Sequence, residues 1–174
     1  MVEELLDFSR MSSGRMKLNN EKLDILAELD EVIFAFKERS IKEGVEVVYN
    51  VSHLPAPAQG DASRIKQVFI NILDNALKYT EQGGKIWVGV RADGDNVLIN
   101  VTDTGIGISQ EDQPRIFERF YRTDASRNSS QGGSGIGLSI VKKIIEDHMD
   151  VLHRCADLLI EKEKINQEEF EALF

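Results

Sequence analysis

Apolar residues recur along this chain at two different periods. Between residues 24 and 43, Ile25, Leu26, Leu29, Val32, Ile33 and Phe36 fall three or four residues apart and predict a helix. Ile65, Val68, Phe69, Ile72, Leu73 and Ala76 repeat that stripe and predict a second helix over 62–79. At the start, Val2, Leu5, Leu6, Phe8 and Met11 mark the end of an amphipathic helix that Ser12, Ser13 and Gly14 interrupt. The β-rich run 45–51, VEVVYNV, predicts a strand, and SHLPAPAQGD after it predicts a loop. Strands are expected at 85–92 and 96–103, joined by the hairpin signal Asp93-Gly94-Asp95. Residues 110–121 read as helical, 122–134 as a polar, glycine- and serine-rich loop, and a helix is expected to start near Gly135. That order predicts a two-layer α/β sandwich with helices on one face of a largely antiparallel sheet.

Composition narrows the classes of function. The 174 residues suit one domain with appendages, and an apolar fraction of 41% is enough for a core. A formal charge of −9 disfavours binding to nucleic acid or an anionic membrane surface. A polyanion can bind such a chain only where backbone N–H groups and a few cations are locally arranged. Cys155 is the single cysteine, so no intrachain disulfide forms, and no Cys/His cluster has metal-ligand spacing. No apolar run approaches the ~20 residues needed to span a bilayer, and the first residues do not read as a signal peptide.

Four segments carry candidate chemistry. In Asn71-Ile-Leu-Asp-Asn75-Ala-Leu-Lys78-Tyr79-Thr80, Asn71, Asn75 and Lys78 share one helix face. Carboxamide oxygens suit a hard Mg²⁺ ion and an ammonium suits phosphate; a merely solvated face is the alternative. Asp103-Thr104-Gly105-Ile106-Gly107-Ile108 ends a strand with a carboxylate and two glycines that let the backbone approach a flat ligand, or else makes an ordinary turn. Gly132-Gly133-Ser134-Gly135-Ile136-Gly137-Leu138-Ser139 runs into a helix, whose free N–H groups can receive phosphates. It is neither a Walker A loop nor a dinucleotide fingerprint, and a flexible linker is the alternative. Phe117-Glu118-Arg119-Phe120-Tyr121-Arg122 lies between them, as a lid hinge or a core anchor.

Together the four, NILDNALKYT, DTGIGI, FERFYR and GGSGIGL, resemble the N, G1, F and G2 boxes of the sensor histidine kinase ATP-binding domain. That domain is of the Bergerat type shared with gyrase, Hsp90 and MutL. The resemblance implies a Bergerat-type α/β sandwich binding ATP and Mg²⁺. Asn71, Asn75 and Lys78 would be catalytic, with Asn75 the Mg²⁺ ligand, Asn71 assisting and Lys78 on phosphate. Tyr79 would pack near the base and Asp103 would accept the adenine amine, with Gly105 and Gly107 beneath the ring. Ile106, Ile108, Phe120, Arg122, Gly133, Ser134, Ile136 and Leu138 complete the implied nucleotide set, and Gly135 and Gly137 would close over the phosphates. Loop 122–134 is expected to be poorly ordered without nucleotide. Gyrase-like members place a glutamate where this chain has Asn71, so efficient hydrolysis is disfavoured.

Residues 1–18 resemble the end of a kinase dimerisation-domain helix, 19–148 the ATP-binding domain, and 149–174 neither. The phosphoacceptor helix is not seen, and His53, His148 and His153 do not stand in an H-E-x-x-T-P context. A histidine-bearing dimerisation domain and, through it, a response regulator are therefore the implied partners, in the cytoplasm or on the cytoplasmic side of a membrane-anchored kinase. A noncatalytic ATP-binding module and an anti-sigma-type serine kinase are the competing readings. The tail reads MDVLHRCADLLIEKEKINQEEFEALF and resembles the ends of AAA metalloproteases, through a fusion, frame change or engineered join, or else by natural helical replacement. No H-E-x-x-H motif accompanies it, so protease activity is not implied. The expected outcome is a helix running on from Leu138 into the tail, loss of the family's last two strands, and either cover of the bare sheet by the tail or a homodimer through sheet edge or tail.

Overall fold

The computed structural model describes residues 19, 21–51, 56–93, 96–123 and 133–147. The expectations for the first helix, for most of the 122–134 loop and for the tail lie outside these residues. So do the three histidines.

The described residues open with β1 (Glu21–Asp24) and α1 (Ile25–Glu43). The Asp24 carboxylate starts α1 by accepting from the Leu26 N–H at 3.0 Å, and Gly44 at φ 70° ends it in the left-handed conformation. Then come β2 (Glu46–Val51), β3 (Pro57–Gly60) and α2 (Ala62–Tyr79). Asp61 caps α2 through the N–H groups of Ser63 and Arg64. A hairpin of β4 (Lys85–Asp93) and β5 (Asn96–Asp103) follows, then a 3₁₀ turn at Gln113–Arg115 and α3 (Gly137–Asp147).

Among the described residues the strands form a two-stranded sheet, β1-β3, and a three-stranded sheet, β2-β4-β5. Leu29 of α1, Leu77 of α2 and Ile86 and Val88 of β4 are at most 1% exposed and centre the main core between helices and sheet. Each such side chain contributes about 1.5–3 kcal/mol of burial. A second, smaller core joins Val68 of α2 to Ile136, Ile140, Val141, Ile144 and Ile145 of the α3 segment. Thus α3 is held by α2, on the side that leaves Asn71 and Lys78 for the space between them. No helix among the described residues is long and apolar enough to cross a membrane.

Four local expectations are corrected. Part of the expected loop is a strand: Pro57–Gly60 pairs with Glu21–Asp24. The larger sheet is mixed, because β2 runs parallel to β4, Val48 facing Trp87, while only β4 and β5 are antiparallel. Residues 110–121 make turns around the 3₁₀ piece rather than a helix, since Pro114 lacks an N–H and Asp112 is engaged by side chains. α3 starts at Gly137, two residues late, because Gly135 sits at φ 68°.

Candidate nucleotide site

Asn71, Asn75 and Lys78 project from α2 along one face. At 100° per residue, Tyr79 lies about 80° round the helix from Asn71 and Asp74 about 60° the other way. The face therefore has an aromatic flank and an acidic flank with the carboxamides and the ammonium between them. It looks into a cavity of about 500 Å³ whose walls include Asn71, Asn75, Lys78 and Tyr79, then Asp103, Ile106, Gly107 and Ile108, then Arg122, Gly133, Ser134, Gly135, Gly137 and Leu138. That volume is within the ~300–1,000 Å³ usual for small-molecule sites. One cavity thus joins residues from all four sequence segments.

The strand-end side is built from backbone. Asp103 is the last residue of β5, and its Oδ1 accepts the Gly105 N–H at 2.8 Å. The Ile106 N–H donates to the Tyr79 carbonyl at 3.2 Å, tying this turn to the end of α2. A Cβ at Gly105 would stand 2.5 Å from that carbonyl oxygen, so only glycine allows the approach. Burial raises the Asp103 carboxyl pKa, an effect the Gly105 N–H partly offsets.

The opposite side is built from side chains against glycines. A Cβ on Gly133 would lie 2.4 Å from Lys78 Nζ, and one on Gly137 would lie 3.0 Å from Asn71 Oδ1. Lys78 also stands 5.0 Å above the Tyr79 ring. The glycine-rich segment is pinned where the Phe120 N–H donates to the Gly135 carbonyl at 2.9 Å and Arg122 Nη1 to the Gly133 carbonyl at 3.3 Å. Both Phe120, at φ 60°, and Gly135 adopt left-handed backbone at this clasp. Below it, Asp112 accepts from the Tyr121 hydroxyl and from Ser109, which hold its carboxyl below the usual range. The Arg115 guanidinium lies 4.1 Å over the Tyr121 ring.

Three expected residues do not line the cavity. Gly105 shapes its wall from behind. Ile136, 2% exposed, belongs to the small core, and Phe120, 63% exposed, contributes backbone rather than a ring. Several lining residues are not singled out by the sequence, among them Arg39, Asp74, Thr102, Gln113, Ile116 and Thr123; Phe117, from the segment read as a lid hinge or a core anchor, lines it too. Asp74 follows from the same helix face as Asn71, but nothing local in sequence brings Arg39 from α1 to it.

The sequence of the histidine kinase-, DNA gyrase B- and HSP90-like ATPases matches this chain over residues 60–168. The chain belongs to that family. Two similar family members are the signal transduction histidine-protein kinase BarA of Escherichia coli K12 and the sensor-like histidine kinase SenX3 of Mycobacterium tuberculosis H37Rv. BarA is 34% identical over 152 residues, covering 84% of this chain and 17% of its own length. SenX3 is 36% identical over 152 residues, covering 85% of this chain and 36% of its own. The chain therefore spans only a minor part of these relatives. Among solved structures, the catalytic domain of histidine kinase ThkA superposes with a TM-score of 0.65 at 30% identity, over 76% of this chain and 82% of that one. Full-length ShkA in complex with AMPPNP gives 0.71 at 31%, over 83% and 30%. The α/β sandwich of histidine kinase catalytic domains is thus the fold of this chain.

Proposed function

We propose that this chain is the ATP-binding catalytic domain of a two-component sensor histidine kinase. It binds ATP with Mg²⁺ in the cytoplasm and passes the γ-phosphoryl group to a histidine carried by a dimerisation domain, from which a response regulator takes it. The observation that carries the reading is that one cavity has Asp103 in its wall together with Asn71, Asn75, Lys78 and the glycines of 133–137.

The donor set suits each part of the ligand. Asp103, ionised, accepts from the exocyclic amine of adenine, and Tyr79 with Ile106 and Ile108 supplies apolar walls. Lys78 and the N–H groups leading into α3 meet phosphate oxygens. Among the described residues no group of three His, Cys, Asp or Glu side chains could hold a metal on its own. Mg²⁺ does not require one, because it is ordinarily held by one or two protein oxygens plus phosphates and water. Asn75, with Asn71 beside it, offers such oxygens, and the ion would supply neutralisation of phosphate charge. In the transfer the bond from the γ-phosphorus to its bridging oxygen breaks, a bond to an imidazole nitrogen forms, and ADP leaves. The domain's part is positioning and charge stabilisation.

Water is a poor competitor in this site. At the helix position where gyrase-like ATPases carry a water-activating glutamate this chain has Asn71, whose carboxamide is no base. Transfer to histidine is favoured over hydrolysis accordingly.

The test is phosphotransfer in trans. The chain, radiolabelled ATP, Mg²⁺ and a separately made histidine-bearing dimerisation domain should yield acid-labile label on that domain. Asn75→Ala should lose the label and at least about tenfold in Mg²⁺-dependent ATP affinity while its circular dichroism is unchanged. ATP binding without transfer to any dimerisation domain would leave a noncatalytic nucleotide-binding module in place of this reading.

A further inference from the structure

The geometry points to Arg39, on α1, as the residue that recognises the terminal phosphate and so distinguishes ATP from ADP; this rests on the ATP reading above. Arg39 is the cavity residue contributed by the first helix. It reaches α2 at Asp74, which its Nη1 contacts through Oδ1, and its Nε bonds Glu43 at 3.0 Å. The Phe36 ring, 5.7 Å below the guanidinium carbon, gives it a platform.

Three observations carry the assignment. The first is position. With the base at Tyr79 and Asp103, as proposed above, the phosphate groups would run across Asn71, Asn75 and Lys78. Asp74, and Arg39 with it, stands on the far flank, beyond Lys78, where the chain of phosphates ends. The second is charge. The cavity cations Arg39, Lys78 and Arg122 outnumber the carboxylates Asp74 and Asp103. In a chain of net charge −9, such a local excess serves a polyanion. The third is exchangeability. The Arg39 and Asp74 side chains are 47% and 43% exposed, so their ion pair is worth little and breaks cheaply. A phosphate presents more charge and a fork-matching pair of oxygens, and Nη2 is not engaged by either of the two ion pairs. Asp74 thus stores the guanidinium beside the site, and the γ-phosphate of ATP draws it away. ADP, one phosphate shorter, leaves the pair intact.

The experiment is calorimetric titration of the full chain with Mg²⁺ and either AMP-PNP or ADP. Arg39→Ala should weaken AMP-PNP binding roughly tenfold and ADP binding by less than about twofold. Arg39→Lys should recover part of the loss, since it restores charge without the fork. Asp74→Asn, which frees the guanidinium, should raise the preference for AMP-PNP over ADP. Equal losses for both ligands, or no loss for either, would overturn the role of Arg39 while leaving the ATP reading standing. A wild-type chain that binds neither nucleotide would overturn both. A melting temperature of Arg39→Ala within a few degrees of wild type separates lost recognition from lost folding.

Discussion

The two ends of the cavity are built from different materials. At the strand end, Gly105 lies against the Tyr79 backbone carbonyl, with 2.5 Å between that oxygen and the Cβ the glycine lacks. The turn is fixed by the β4–β5 register and by hydrogen bonds from Gly105 and Ile106. At the glycine-loop end, Gly133 and Gly137 lie against the side-chain ends of Lys78 and Asn71. That end rests on the small core of α2 and α3 rather than on the sheet. One end is a preformed backbone slot; the other is lined by side-chain atoms that can move aside. Gly135 is the exception: at φ 68°, a Cβ there would meet the backbone of Phe120 and Tyr121 at 2.9 Å.

Substitutions that add one methyl group probe this contrast. Gly105→Ala meets backbone, so it should cost about 2–3 kcal/mol of stability and remove adenine-nucleotide binding altogether, as read by denaturant melts and titration. Gly133→Ala meets a side-chain tip that can swing aside. It should cost under about 1 kcal/mol, yet displace Lys78 and weaken ATP by about tenfold while adenosine binding is unchanged. If both variants lose stability equally, the two ends do not differ in rigidity. Asp103→Asn should have the smallest effect on stability, and of opposite sign. Burial raises the folded-state pKa of this carboxyl, so its ionised form costs stability above the unfolded value, and that cost disappears as pH falls through the raised pKa. The asparagine variant should therefore melt no lower than wild type at neutral pH while binding ATP more weakly. Wild-type ATP affinity should fall on acidification through a pKa above the usual 3.8 of an aspartate, and the variant should lack that fall.

The same contrast decides what could be read in sequence. Both long helices and the β4–β5 hairpin follow from local periodicity, and their bounds lie within about a residue of expectation, α2 ending at Tyr79 as its stripe requires. The strand-end turn is equally local, since Asp103 and Gly105 bond each other. What escaped is long-range. The β1–β3 pair joins EKLD to PAQG, neither rich in β-branched residues, so only the distant partner makes either a strand. The parallel β2–β4 pairing is set by how the chain returns after α2. Around Asp112, Ile116, Phe117 and Phe120 have helical spacing, but the Tyr121 and Ser109 hydrogen bonds compete successfully for the turn. Arg39 belongs to the site solely because α1 packs beside α2.

On the proposed function, Asp103 and the α2 face form an adenine-nucleotide site. That assignment is tested most directly by thermal denaturation of the 174-residue chain with Mg²⁺ and increasing ATP, beside the same series with GTP. The melting temperature should climb with ATP concentration, because a ligand bound only to the folded state stabilises it by mass action. No comparable climb is expected with GTP, whose guanine presents a carbonyl where Asp103 needs a donor. Equal shifts with the two nucleotides, or none with ATP, would contradict it.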